Sequence, residues 1–301
     1  MNVDLVLEGG GVLGLTFIGA YRAIVEHGYQ VHRIAGTSVG SFVASLIAAG
    51  YTPDELEEMA LTTDLKNFSR KTKLARFTRV GEFISLLKNK GIYHNDGLKV
   101  WLEDELKKRG KGLFKDVDGL KIIATDITNK RMLIIPDDLV HYGINPKEFP
   151  ISIAVQMSTA VPYYFVPLEL NHGIETSYII DGGVLSNFPI WIFDRKGRPR
   201  WPTFGIKIKD HVSLTSQGKI SFLDYTKDII RTIIDKDETV YLRPGDRVRT
   251  ILIDYDESID ALNFDLPKYD IKKLIQSGYE STQQFLKEFD FEAYCNKYRT
   301  S

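Results

Sequence analysis

Three observations near the start of the chain predict an α/β fold. Val3, Leu5 and Leu7 alternate with polar residues as a short strand that runs into Gly9-Gly10-Gly11. Leu13, Phe17, Ile18, Tyr21, Ile24 and Val25 then recur at helical spacing, with Gly28 as a C-terminal stop. A second apolar run, residues 31–35, enters the tight turn Gly36-Thr37-Ser38-Val39-Gly40, and Phe42, Val43, Leu46 and Ile47 continue as a helix to Gly50. Strand, glycine loop, helix, strand, turn, helix is the order from which sheets covered by helices are built.

The later elements follow the same logic. Thr52-Pro53-Asp54-Glu55 is a helix start: Thr52 caps, Pro53 occupies the first helical position and Glu55 completes a capping box. Residues 66–90 carry eight Lys and Arg against the single acid Glu82, with apolar residues interspersed. Residues 96–108 present Leu98, Trp101, Leu102 and Leu106 on a helix whose basic end suits the negative helix pole. Residues 120–125 read as a strand with a hairpin partner at 132–135, and 151–157 as a helix broken by Pro162. Tyr163, Tyr164 and Phe165 form an aromatic patch between prolines. A strand at 178–180 delivers Asp181 into Gly182-Gly183. Further strands are expected at 204–208 and 248–253, and helices at 221–237 and 271–289. No repeat or linker-like stretch divides the 301 residues, so one domain is expected, with 66–110 as a candidate lid or membrane-facing insertion and 238–301 as a tail packed on the same domain.

Composition narrows the function classes. With 43% apolar residues the chain can bury a large core. Its 39 basic and 40 acidic residues balance to a net charge of -1, which argues against a nucleic-acid partner. One cysteine, Cys295, excludes an internal disulfide and fits a reducing, cytoplasmic compartment. No basic leader precedes the first strand, and no run approaches the length of a membrane span. There is no H-E-x-x-H and no calcium-loop spacing, so no metal or cofactor is expected.

The chemistry concentrates in the glycine motifs. Residues 36–40 are a G-x-S-x-G elbow, which sets a serine on a strained strand-to-helix turn with positive helix potential behind it. The exposed amides of Gly9, Gly10 and Gly11 form an anion nest. Read from Gly9, the loop also fits G-x-G-x-x-G through Gly14, so taken alone it admits a dinucleotide. The serine elbow, and the absence of a ribose-binding acid after the second strand, favour an oxyanion hole, worth about 3–4 kcal/mol per key donor. A serine needs a base. Two candidates stand: His211, the one histidine of six after Asp181 in the acid-then-histidine order of a triad, and Asp181 itself, a carboxylate between an apolar strand and two glycines.

In combination these motifs resemble the patatin-like acylhydrolases. Gly9-Gly10-Gly11-Val12-Leu13-Gly14 is similar to the family's oxyanion loop, residues 36–40 to its elbow, and Asp181-Gly182-Gly183 to its dyad motif. Residues 157–162, continuing to Phe165 and Pro167, are similar to the block upstream of that dyad. The likeness runs from about residue 3 to 210, and the closing strand and helix resemble the tail of many bacterial members. The resemblance implies a three-layer α/β/α fold with a central, mostly parallel sheet. It also implies Ser38 as nucleophile and Asp181 as base without histidine. Gly9, Gly10, Gly11 and Val39 would be oxyanion donors, with Gly14, Gly36, Gly40, Gly182 and Gly183 in support. It implies a phospholipid or other long-chain ester as substrate; Tyr163, Tyr164 and Phe165 are candidates for an acyl pocket, and 66–90 for contact with the inner face of a membrane. One position departs: Leu13 stands where the family often carries a basic residue.

Overall fold

The computed structural model describes residues 1–76, 78–209, 225, 232, 242–256, 258, 259, 261 and 263–299. The predicted helix at 221–237 and the candidate base His211 lie outside the described residues, apart from single positions of that helix. Eleven strands are described: β1 (Asn2–Leu7), β2 (Gln30–Thr37), β3 (Arg70–Lys71), β4 (Gly91–His94), β5 (Leu120–Asp126), β6 (Arg131–Ile135), β7 (Tyr163–Phe165), β8 (Leu168–His172), β9 (Glu175–Asp181), β10 (Thr203–Ile208) and β11 (Thr250–Ile253). The described helices are α1 (Thr16–Glu26), α2 (Val39–Ala48), α3 (Pro53–Thr62), α4 (Arg79–Asn89), α5 (Asp96–Lys108), α6 (Ile151–Ser158), α7 (Pro244–Val248), α8 (Lys268–Glu288) and α9 (Phe291–Tyr298).

The main sheet runs β11-β10-β1-β2-β5-β9-β8, with β6 paired to β5. Its β11-to-β5 half is parallel and the rest antiparallel. Helices flank it on both sides, so the architecture is the expected α/β/α arrangement. Strand alternation assigns the faces. Val3, Leu5 and Leu7 of β1 join the large core under the helices, whereas Val6 packs on the other face with Phe188, Ile190 and Phe193. Β-strand 10 repeats the division: Phe204, Ile206 and Ile208 enter the large core, and Gly205 lies against Phe188 and Ile190.

The structure refines several elements. The first helix is preceded by a 3-10 turn, Gly11–Leu15, because the glycine loop enters at a positive φ of 56° at Gly11. The capping box at Thr52 and Glu55 forms in full, with Thr52 N donating to Glu55 at 2.9 Å and Glu55 N to Thr52 at 3.3 Å. The expected strand at 248–253 is shorter, Thr250–Ile253, since α7 occupies the residues before it. Residues 66–90 form a 3-10 turn, β3 and α4, and β3-β4-β7 make a second small sheet. No helix among the described residues is long and apolar enough to cross a membrane.

The C-terminal α8 sends Ile271, Leu274 and Ile275 into the large core. It approaches α1 through glycines on both sides. A Cβ at Gly278 would lie 1.9 Å from Thr16 O, and one at Gly19 1.8 Å from Ile275 O. Two helix backbones in such contact leave no room for a methyl group. Gly278→Ala is therefore expected to lower stability by about 1–3 kcal/mol. Urea unfolding checks this: the midpoint should fall at unchanged slope, and an unmoved midpoint would contradict the close approach.

Candidate functional site

The sheet brings Ser38 and Asp181 together by register. Β-strand 2 runs parallel to β5 and ends with Thr37 opposite Ile123. Β-strand 9 runs antiparallel to β5 and ends with Asp181 opposite Ala124. Two strands of opposite direction thus stop at adjacent residues of a shared neighbour, and their ends face each other. Ser38 Oγ donates to Asp181 Oδ2 at 2.7 Å.

Ser38 has a φ of 51°, in the left-handed region that a non-glycine residue adopts only when its surroundings enforce it. Three contacts enforce it. The turn closes so tightly that a Cβ at Gly36 would lie 2.3 Å from the Gly40 carbonyl. A Cβ at Gly40 would lie 2.4 Å from Glu8 O, so α2 starts directly on the end of β1. Ser158 supplies the third contact: its Oγ accepts from Ser38 N at 2.9 Å and donates to Ile123 O at 2.5 Å. The next residues but one complete the device, because Asp181 N donates to Ala160 O at 2.9 Å. The segment 157–162 therefore holds both members of the pair. The motif likeness had marked this block but not its task.

Asp181 has no exposed surface. Its Oδ1 accepts from Gly183 N at 2.8 Å, and the glycine pair after it is set by close approach, since a Cβ at Gly182 would lie 2.3 Å from Ile123 O and one at Gly183 3.0 Å from Asn187 Oδ1. Burial pushes its carboxyl up to about 7, against the lowering effect of the hydrogen bonds from Ser38 and Gly183. Ser38 itself is 8% exposed. Among the described residues no histidine hydrogen-bonds to either side chain. His172 sits at the end of a hairpin strand with Nε2 3.0 Å from Ser177 Oγ, and Tyr142 packs edge-on against it.

The glycine loop lies beside the serine: a Cβ at Gly9 would be 3.2 Å from Ser38 Cβ. Its amides have different fates. Gly9 N donates to Asn187 O at 3.3 Å, so it serves structure and is not aimed at the site. Gly10 and Gly11 donate to no acceptor among the described residues, and the Val39 amide stands in the unsatisfied first turn of α2. Three of the four candidate amides thus have no acceptor among the described residues. Gly14 presses against Val39, where a Cβ would meet its side chain at 2.6 Å. Gly182 lies on Ile123 O. Leu13 is 5% exposed and belongs to the large core, so this departure is a packing residue under the loop.

A buried ion pair supports the loop from below. Lys207 Nζ meets Glu8 Oε1 at 2.7 Å, and Glu8 Oε2 accepts from Ile208 N at 2.9 Å. Both side chains are almost wholly buried, Asn187 Nδ2 also donates to Glu8 Oε1 at 3.4 Å, and a buried carboxylate so held at the end of β1 pins the residue that precedes Gly9. Alternation with Leu7 had placed Glu8 only as a polar strand end; its pairing with a lysine 199 positions away had no local signal.

An apolar cavity of about 190 Å³ opens at Ser38, Gly10 and Gly11 and runs between α2, α3 and α5. Phe42, Leu46, Met59, Leu98 and Trp101 line it, with Tyr164 and Phe165 of β7. Phe42, Phe68 and Trp101 pack on one another with ring centroids 5.4–5.9 Å apart. Of the three aromatic residues expected in an acyl pocket, Tyr163 is not part of the cavity; it is 51% exposed and opens β7 at a positive φ of 62°.

Comparison with known proteins fits this geometry. Residues 5–194 match the model of the patatin-like phospholipases. The chain is 32% identical to the Bacillus subtilis (strain 168) protein YqhO over 294 residues, covering 97% of this chain and all of that one. It is 26% identical over 205 residues to lysophospholipase NTE1 of the fungus Meyerozyma guilliermondii, covering 65% of this chain and 12% of that much longer protein. The relatives are thus not specifically bacterial. In fold it is similar to VipD from Legionella pneumophila, with a TM-score of 0.59 at 17% identity, covering 94% of this chain and 66% of VipD. With the family model matched over residues 5–194 and a full-length relative at 32% identity, the chain belongs to the patatin-like phospholipase family.

Proposed function

We propose that this protein is a serine acylhydrolase that releases fatty acid from phospholipids or other long-chain lipid esters through a Ser38–Asp181 dyad. The observation that carries the reading is the 2.7 Å hydrogen bond from Ser38 Oγ to a fully buried carboxylate at the mouth of an apolar cavity. Family membership supports hydrolysis of a lipid, and the name of the fungal relative, a lysophospholipase, points the same way. We place it in the cytoplasm, acting as a single unit in which 66–110 flanks the cavity and the C-terminal tail braces α1.

In the first half-reaction Ser38 Oγ attacks the ester carbonyl carbon while its proton passes to Asp181 Oδ2. The carbonyl oxygen becomes an oxyanion, met by the amides of Gly10, Gly11 and Val39. The tetrahedral adduct collapses, Asp181 returns the proton to the departing alcohol, and the acyl chain stays on Ser38 with its tail in the cavity. Water then attacks the acyl carbonyl, giving its proton to Asp181. Collapse releases the fatty acid, and the proton returns to Ser38 Oγ. Desolvation makes this possible: an Asp near its ordinary value of 3.8 is too weak a base, whereas one raised to about 7 is matched to neutral pH.

Ser38→Ala and Asp181→Asn are each expected to lower hydrolysis of a long-chain p-nitrophenyl ester by about 10³-fold or more with circular dichroism unchanged. Substantial activity in Asp181→Asn would overturn the dyad, and a comparable loss in His211→Ala would favour a triad. Ser158→Ala leaves the Ser38 amide without its acceptor and frees the turn. It should reduce kcat by about 10²-fold with KM nearly constant, and unchanged kcat would remove Ser158 from the account.

Asp181 also links pH to stability. Its folded value of about 7 exceeds the ordinary 3.8, so the unfolded chain holds fewer protons here between those limits. The fold is accordingly penalised as pH rises through that window. Asp181→Asn should melt above wild type at pH above about 7, with the gap closing as pH falls toward 3.8. Identical melting curves across that range would show that the carboxyl is not raised.

A further inference from the structure

Helix α4 is turned inside out. Val80, Phe83, Ile84 and Leu87 recur at the i, i+3, i+4, i+7 positions of one helical stripe, the pattern that normally faces a core. Here they are 67%, 45%, 38% and 69% exposed. The helix packs instead through its polar face. Ser85 is buried, donating to Gly91 O at 2.7 Å and sharing a hydrogen bond with Thr72, and Glu82 pairs with Lys71 at 2.8 Å. Four large apolar residues in one stripe are more than scattered surface exposure accounts for.

The surroundings of the stripe have one sign of charge. The turn 72–76 lies against the start of α4, since a Cβ at Gly81 would meet Leu74 O at 2.1 Å. That turn presents exposed Lys73, Leu74 and Arg76, with Arg70 before it and Lys88 at the far end of α4. Among the described residues none of these four cations has a carboxylate within salt-bridge distance, and the segment's one acid, Glu82, is already taken by Lys71. The patch also adjoins the cavity. Gly91, which follows α4, pairs with Tyr163, and the next two residues of β7 line the cavity together with Phe68 and Ser69, which lead into β3.

We propose that the outward face of α4, with the basic 70–76 turn beside it, docks this protein on an anionic lipid bilayer. An apolar stripe enters the acyl boundary while a lysine and arginine rim meets anionic headgroups, and both features are satisfied at once only by a surface that is apolar within and negative at its edge. A second copy of the chain would bring the same cations face to face. Docking would set the cavity mouth close to the membrane; this purpose rests on the lipid-ester reading, but the docking itself does not.

The test uses the full chain carrying Ser38→Ala, sedimented with vesicles of phosphatidylcholine with or without phosphatidylglycerol. Binding is expected to need phosphatidylglycerol. It should weaken at least about tenfold in the Val80→Ser/Phe83→Ser/Leu87→Ser variant and in the Lys73→Glu/Arg76→Glu/Lys88→Glu variant. The same substitutions in the Ser38 protein should leave hydrolysis of a soluble short-chain ester within about twofold of wild type while lowering hydrolysis of vesicle lipid about tenfold. Vesicle binding equal to wild type in either variant would overturn the proposal, as would a dimer in sedimentation equilibrium that the serine variant abolishes. If vesicles bind through this face but no ester is cleaved, the docking stands and the catalytic reading falls.

Discussion

The contact between a serine hydroxyl and a carboxylate with no exposed surface governs the rest of this structure. Water cannot screen Asp181, so its charge is tolerable only where a few fixed donors meet it, and the described residues provide two: Ser38 Oγ and Gly183 N. Both come from the ends of strands. The edge of β5 offers adjacent positions, Ile123 and Ala124, to strands of opposite direction, and this register aims the chain ends at each other. Much of the local architecture then serves to hold a serine at positive φ. Gly36 and Gly40 close the turn, Ser158 ties the serine amide to β5, and Ala160 ties the amide of Asp181. A serine at strained φ and a desolvated carboxylate, each unfavourable alone, are kept by the same short segment at the end of α6, Ser158 to Ala160.

Beneath this pair lies a second buried charge system. Glu8 and Lys207 join β1 to β10 immediately before the glycine loop. Among the described residues the Gly10 and Gly11 amides take no part in anchoring the loop. The anchoring is moved to the carboxylate of Glu8, to Gly9 N and to Val12 N, which donates to Ala261 O at 2.9 Å, and Gly10 and Gly11 are left clear. Leu13 fits the same division, since its side chain holds the loop to the core and takes no part in the opening.

The features readable from sequence were those with local signatures. The elbow, the glycine loop and the Asp-Gly-Gly turn each require particular residue types at fixed offsets, and the order of strands and helices follows from periodicity. What escaped was set by tertiary juxtaposition. Phe42, Leu46, Met59 and Trp101 were legible as apolar helix faces, but an apolar side chain reads the same whether it meets a core or a cavity. Leu98 and Trp101 line the cavity while Leu102 and Leu106 of the same helix are buried in the core, a distinction that periodicity does not contain. Tyr163 was drawn into the pocket by its neighbours, but it starts β7 at a positive φ of 62° and is exposed, a backbone feature with no residue-type signal. The segment 66–90 was legible as a basic stretch with apolar residues interspersed; which face α4 would turn to solvent depended on Ser85 and Glu82 finding polar partners in and beside the small sheet.

The central claim is that a raised Asp181, and not a histidine, takes the proton of Ser38. The most direct measurement is the rate at which a fluorophosphonate labels Ser38 as a function of pH, with the adduct located by mass spectrometry. The account predicts labelling at Ser38 that rises with pH through a single ionisation near 7, and that becomes slow and loses this ionisation in Asp181→Asn. Labelling of another residue, or a pH profile unchanged by Asp181→Asn, would contradict it.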